Sequence, residues 1–190
     1  MTKTPETVAG VLWLVWLVCW LAAALSSDRT VKVPAKRNQL VYRALVVIGA
    51  ALLFGKYRHD PAREILLWHT PHVVGWTMVA VVFAGLLFTA WARFHLGRLW
   101  SGNVARKADH HVVDTGPYGI VRHPIYTGII VATIAMAVIR GTAAAWVGFA
   151  ILTLGWYIKA RMEEAFLREQ LGAGAYARYA SRIPMLIPFL

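Results

Sequence analysis

Residues 116–128 read GPYGIVRHPIYTG, and forty positions after His123 the chain sets Glu163 beside Glu164. Tyr118, Arg122, His123 and Tyr126, facing two adjacent carboxylates, are residue types that can hold a ligand carrying both signs of charge. One acid would pair with Arg122 and the other would receive a cationic group. The plainer alternative for the acids is a solvated helix face, with Glu164 and Arg168 four apart in a pair worth ~0.2–0.5 kcal/mol. For Arg122 and His123 it is a helix start, because Pro124 favours the first helical position and turns the residue before it away from helix. His123 is then the cap.

Other chemistries are poorly served. His110 and His111, with Asp114 and His123, raise a metal site, but adjacent histidines point in different directions and the HExxH spacing is absent, so no metal is expected. No serine, histidine and aspartate spacing resembles a nucleophile elbow. The only cysteine, Cys19, falls in an apolar run, so covalent catalysis, an internal disulfide and a thiolate metal site all fall away. Gly172 and Gly174 follow a charged helix rather than a strand, so the dinucleotide fingerprint fails.

The elements that must position these groups are membrane helices. The chain is 58% hydrophobic and 15% charged, with mean hydropathy +0.54, whereas a soluble domain carries about 25% charged residues. Residues 8–25 hold 18 positions without a charge, long enough for a transmembrane helix, which needs ~20 residues. They exceed a signal-peptide core, and the flank before them holds one lysine and one glutamate rather than a positive cluster. Further runs cover residues 39–55, with Arg43 placed to snorkel, residues 65–92, with Pro71 as a break or helix start, residues 124–139 and residues 141–158. The expected fold is all-α and polytopic, with about five transmembrane helices. The last two form a tight antiparallel hairpin turning at Arg140 and Gly141.

Charge sets the orientation. The first and third loops and the C-terminal segment carry 15 of the 20 basic residues, and lysine and arginine accumulate on the cytoplasmic side. The N-terminus is therefore expected outside and the C-terminus in the cytoplasm. The net charge of +11 is mostly this topology signal, because the cations flank spans instead of forming a face. Nucleic acid is not an expected partner. Residues 1–92 read as a three-helix scaffold, and residues 93–190 as the part that carries the chemistry. Residues 93–123 are long for a connection, and connections of that length are usually functional or disordered. With the turn at Arg140 and Gly141, the hairpin register sets Tyr118 opposite Glu163 and His123 opposite Ile158, at the cytoplasmic end.

GPYGIVRHPIYTG, then EEAFLREQLG, then YARYASRIPMLIP resemble the C-terminal signature of the isoprenylcysteine carboxyl methyltransferases. Their relatives include phospholipid N-methyltransferases and, more distantly, membrane sterol reductases. The resemblance covers residues 103–188. It implies an S-adenosylmethionine site open to the cytoplasm and a tunnel from the bilayer for a lipid-like acceptor. Carried over by position, the cofactor contacts fall on Asn103, His110, His111, Val112, Val113, Tyr118, His123, Pro124, Ile125, Tyr126 and Glu163. The family's arginine near the acceptor falls on Lys159, with Arg161 two residues on, and lysine lacks the bidentate grip on a carboxylate.

The residues agree in chemical terms. Glu163 can meet the cofactor's cationic end, Arg122 or helix-start N–H groups its carboxylate, and Tyr118 or Tyr126 its adenine. An amine acceptor would need a base, for which Glu164 or His123 is available. The expected function is methyl transfer to a hydrophobic acceptor, with an isoprenylcysteine-type carboxylate most like the signature and an amine or thiol open. The rivals are an NADPH-dependent reductase of a lipid or sterol double bond and a non-enzymatic membrane scaffold.

Overall fold

The computed structural model describes residues 4–24, 36–55, 65–97, 113–171 and 173–188. Its helices are α1 (Pro5–Ala24), α2 (Lys36–Phe54), α3 (His72–Leu96), α4 (Pro124–Arg140), α5 (Ala143–Leu171) and α6 (Ala173–Arg182), with a 3-10 turn at Gly116–Gly119 before α4. Helices α1, α3 and α5 are long and apolar enough to cross a membrane, and α2 and α4 contain shorter apolar stretches. The architecture is all-helical and polytopic among the described residues.

Local chemistry starts and stops these helices, and α5 runs on to Leu171, past the expected apolar run that ends at residue 158. Thr4 caps α1, its Oγ1 accepting from the Thr7 N–H at 3.3 Å, and Pro5 takes the first helical position. Pro71 precedes α3, so the apolar run from residue 65 divides there. Residues 65–70 are not part of that helix. Leu67 N–H donates to Gly141 O at 2.7 Å, Ala143 N–H donates to Ile65 O at 2.9 Å, and Thr70 Oγ1 donates to Val138 O at 2.7 Å. The extended segment thus braces the α4–α5 turn. Gly141 occupies the left-handed region with φ 63°, and a Cβ there would strike the Trp68 carbonyl.

Arg140 ties this end together, bonding Gly55 O at 2.8 Å and pairing with Glu6 at 3.3 Å. At the opposite end Arg93 reaches Ala23 O at 2.9 Å, and Trp16 Nε1 donates to Thr89 Oγ1 at 2.6 Å. The first five helices therefore run alternately in opposite directions.

The α4–α5 turn is as tight as expected, but the two helices pack more extensively on α3 and α2, respectively, than on each other. Glycines allow these close approaches, as small residues do between membrane helices. A Cβ on Gly85 would lie 2.7 Å from Gly128 O, and one on Gly49 would lie 2.8 Å from Gly148 O. Helices from both sides of residue 92 interleave as a result. Because α4 and α5 follow separate partners, the expected hairpin register moves: Glu163 faces His123 and Tyr126, and Ile158 is not the partner of His123.

Candidate functional site

Pro124 opens α4 and makes His123 its N-cap, as the sequence indicates. The turn before it depends on Gly116, whose φ is 57°. The His95 ring fills the space a Cβ would take there, donates to or accepts from Thr115 Oγ1 at 2.9 Å and stacks on Tyr118. Tyr118 is buried. Burial first, and Glu163 second, push its phenol well above the ordinary range, so it stays neutral. Tyr179 Oη donates to the Tyr118 carbonyl at 2.8 Å, joining α6 to this turn.

The chain beyond α6 returns across the start of α4 as a strap. Arg122 N–H donates to Pro184 O at 2.8 Å, His123 N–H donates to Met185 O at 3.1 Å, and Thr127 Oγ1 donates to Leu186 O at 2.6 Å. The Arg122 side chain closes the clasp. It pairs with Glu164 at 2.6 Å and donates to the carbonyls of Ala180, at 2.9 Å, and Ile183. Arg122 is therefore committed to holding the strap, and the expected role of gripping a cofactor carboxylate does not suit it. Glu164 is 4% exposed, so the solvated-face alternative fails, although its pair with Arg168 forms at 3.4 Å.

Glu163 lies among different partners. Tyr126 Oη donates to its Oε1 at 2.6 Å, His123 Nδ1 lies 3.5 Å from its Oε2, and Lys159 Nζ lies 3.9 Å from its Oε1. The Tyr126 ring stacks against His123, with centroids 5.4 Å apart, and against Trp156, with centroids 5.2 Å apart. Those contacts use both faces of the Tyr126 ring, whereas His95 stacks on one face of Tyr118. Burial works against the charged form of His123, and the neighbouring carboxylates of Glu163 and Glu164 more than offset it, so its pKa is raised. His123 Nε2 stands 3.4 Å from Glu164, yet makes no hydrogen bond among the described residues. The buried Trp156 Nε1 is in the same position.

Of the remaining expected site residues, Pro124 and Ile125 are buried at the helix start, and Val113 packs against the apolar cluster around Tyr118 and Tyr126. Lys159 is buried beside Glu163. Arg161 is exposed, about 200° around α5 from Lys159, and does not join the cluster. Asn103, His110, His111 and Val112 lie outside the described residues. Sequence reasoning gave no role to His95, Tyr42, Tyr179 or the strap carbonyls. The tyrosine spacing in YARY offered a signal for Tyr179, whereas nothing near Tyr42 marked it.

Among the described residues no group of three or more metal-ligating side chains is assembled. Apolar helices surrounding a buried, charged polar centre at one end define an integral membrane protein of the polytopic all-α class. The isoprenylcysteine carboxyl methyltransferase (ICMT) family matches residues 76–169. Methanethiol S-methyltransferase 1 of Bradyrhizobium diazoefficiens is 31% identical over a 205-residue alignment covering 99% of this chain and 69% of the relative. Protein-S-isoprenylcysteine O-methyltransferase B of Arabidopsis thaliana is 29% identical over 113 residues, 58% of this chain and 51% of the relative. Cobalt-zinc-cadmium resistance protein CzcN of Cupriavidus metallidurans is 27% identical over 153 residues, 79% of this chain and 63% of the relative. The chain belongs to the isoprenylcysteine carboxyl methyltransferase superfamily. It spans between half and about two-thirds of the length of these relatives.

Proposed function

We propose that this protein is an integral membrane methyltransferase that uses S-adenosylmethionine and acts on a hydrophobic acceptor entering from the bilayer. The observation that carries this reading is the partly buried Glu163 carboxylate, bonded by Tyr126 and approached by His123 and Lys159, within the segment that matches the family. The cofactor's ends suit the residues present. Its sulfonium and ammonium call for a carboxylate, which Glu163 supplies with lone pairs to spare. Its carboxylate suits the Ile125 and Tyr126 N–H groups in the first turn of α4, a position where helix N–H groups have no intrahelical partner. The family resemblance would add cofactor contacts from Asn103, His110, His111, Val112 and Val113.

When bound, S-adenosylmethionine supplies an electrophilic methyl group for a one-step displacement, so the protein needs no nucleophile of its own. Tyr126, held in its stack, fixes Glu163 by a hydrogen bond. The buried setting excludes water from the acceptor, and orienting the two reactants can contribute ~7–11 kcal/mol.

In this reading the five alternating helices are five spans, with the N-terminus outside and the site facing the cytoplasm. The loop charges support that assignment. Residues 1–92 act as the scaffold and residues 93–190 as the cofactor unit. The signature favours an isoprenylcysteine-type carboxylate. A thiol acceptor is the second reading, favoured by the match to a methanethiol S-methyltransferase along 99% of this chain and by Lys159 in the family's arginine position.

Titration of the detergent-purified protein with S-adenosylhomocysteine and with NADPH tests the proposal. Binding of the first alone is expected. Binding of NADPH alone would turn the reading to a reductase, and binding of neither would turn it to a scaffold.

A further inference from the structure

Helix α2 reaches the polar centre from outside the family-matched segment. Gly148 and Gly155 lie two turns apart on α5, and α2 packs on both. A Cβ on Gly148 would lie 2.7 Å from Gly49 O, and one on Gly155 would lie 3.4 Å from Tyr42 O. One turn beyond Gly155, Lys159 continues that face and meets the first turns of α2. Its Nζ lies 5.6 Å from the centroid of the Tyr42 ring, 5.2 Å from that of Tyr126 and 5.5 Å from that of Trp156. Three rings from three helices thus enclose one ammonium. Tyr42 is 4% exposed, and its hydroxyl donates to Gln39 Oε1 at 3.4 Å, an atom that also accepts from Arg43 at 3.1 Å.

Ring faces attract a cation without neutralising it. The Lys159–Glu163 separation of 3.9 Å exceeds the ~2.7–2.9 Å of a charge-assisted hydrogen bond, so Glu163 alone does not fix the ammonium and the rings share in placing it. Lys159 is also one helical turn, ~6 Å, farther along α5 toward the bilayer interior than Glu163. A charged cofactor arrives from water and an apolar acceptor from lipid, so the polar end of the acceptor meets Lys159 first.

We propose that Tyr42 is a positioning residue that holds the Lys159 ammonium on the acceptor side of the site, making α2 part of acceptor recognition. This rests on the methyltransferase reading. Lys159 contacts the acceptor's polar end, Tyr42 acts through Lys159, and cofactor binding at Glu163 is independent of Tyr42.

The test uses the full chain in nanodiscs, with S-adenosylhomocysteine affinity measured by calorimetry. Labelled methyl transfer is followed to two probes, 1-octanethiol and an S-farnesylated N-acetylcysteine. Failure of the unaltered protein to bind S-adenosylhomocysteine would count against the methyltransferase reading itself. With that binding in place, Tyr42→Leu should raise the KM of whichever probe is methylated by about tenfold, the scale of a desolvated cation–π contact. Cofactor affinity should stay unchanged. Tyr42→Phe, which keeps the ring, should restore most of the loss. In a Lys159→Met background Tyr42→Leu should add nothing. Tyr42→Met, whose unbranched side chain fills irregular gaps more readily, replaces Tyr42→Leu if the latter does not fold. An unchanged acceptor KM, an equal loss of cofactor affinity, or independent multiplication of the Tyr42 and Lys159 effects would overturn the proposal.

Discussion

Glu163 and Glu164 are adjacent in sequence and divided in task. Glu164 is locked to Arg122, which also holds one carbonyl of α6 and one of the C-terminal strap. Removing one member of a buried pair strands the other, at about 3–5 kcal/mol. Glu164→Ala should therefore lower the thermal midpoint sharply, whereas Arg168→Ala, at an exposed partner, should leave it nearly unchanged. Thermal unfolding in detergent checks both. The pair was legible in the sequence as two acids opposite an arginine. Which acid pairs was not, because the helical phase of α5 decides it.

His123 gives the site a pH dependence with a definite sign. Its pKa in the folded protein lies above the ordinary 6.5 because Glu163 and Glu164 outweigh the cost of burial. A raised folded value means that the stabilisation is fully present below the ordinary value and is lost as pH rises through the raised one. Stability should fall over that alkaline step. His123→Gln should remove the step, as thermal midpoints measured across pH would show, and an unaltered step in that variant would assign it elsewhere.

At the scale of elements, Pro124 and Gly141 were readable because each acts locally, one by fixing φ and the other by tolerating a positive φ. The hairpin register was not readable in the same way. It follows from Gly85 against Gly128 and Gly49 against Gly148, contacts between distant segments that a turn-centred argument does not contain. Gly128→Val should destabilise by ~1–3 kcal/mol, as overpacking does. Gly10→Ala, where nothing lies within 4 Å of an added Cβ, should be tolerated. Equal midpoints for the two variants would contradict the close helix crossing.

At the scale of the molecule, charge and hydropathy carried the class, while reading residues 1–92 as scaffold leaves out a contact that reaches the chemistry-bearing part. Tyr42 lies in the N-terminal part yet meets Lys159, because a bundle mixes what the sequence separates. The proposed orientation places Thr4 outside and Ser181 in the cytoplasm. In a Cys19→Ser background, Thr4→Cys should react with an impermeant thiol reagent applied to intact cells. Ser181→Cys should react only after the membrane is opened, and the reverse pattern would invert the topology.

The central claim is that Glu163, oriented by the Tyr126 hydrogen bond, receives the cationic end of S-adenosylmethionine. Calorimetric titration of the unaltered protein and of folded Glu163→Ala with S-adenosylhomocysteine, which keeps the ammonium, tests it most directly. Loss of a charged, desolvated contact should weaken binding by about tenfold or more. Equal affinity in the two proteins would contradict the account.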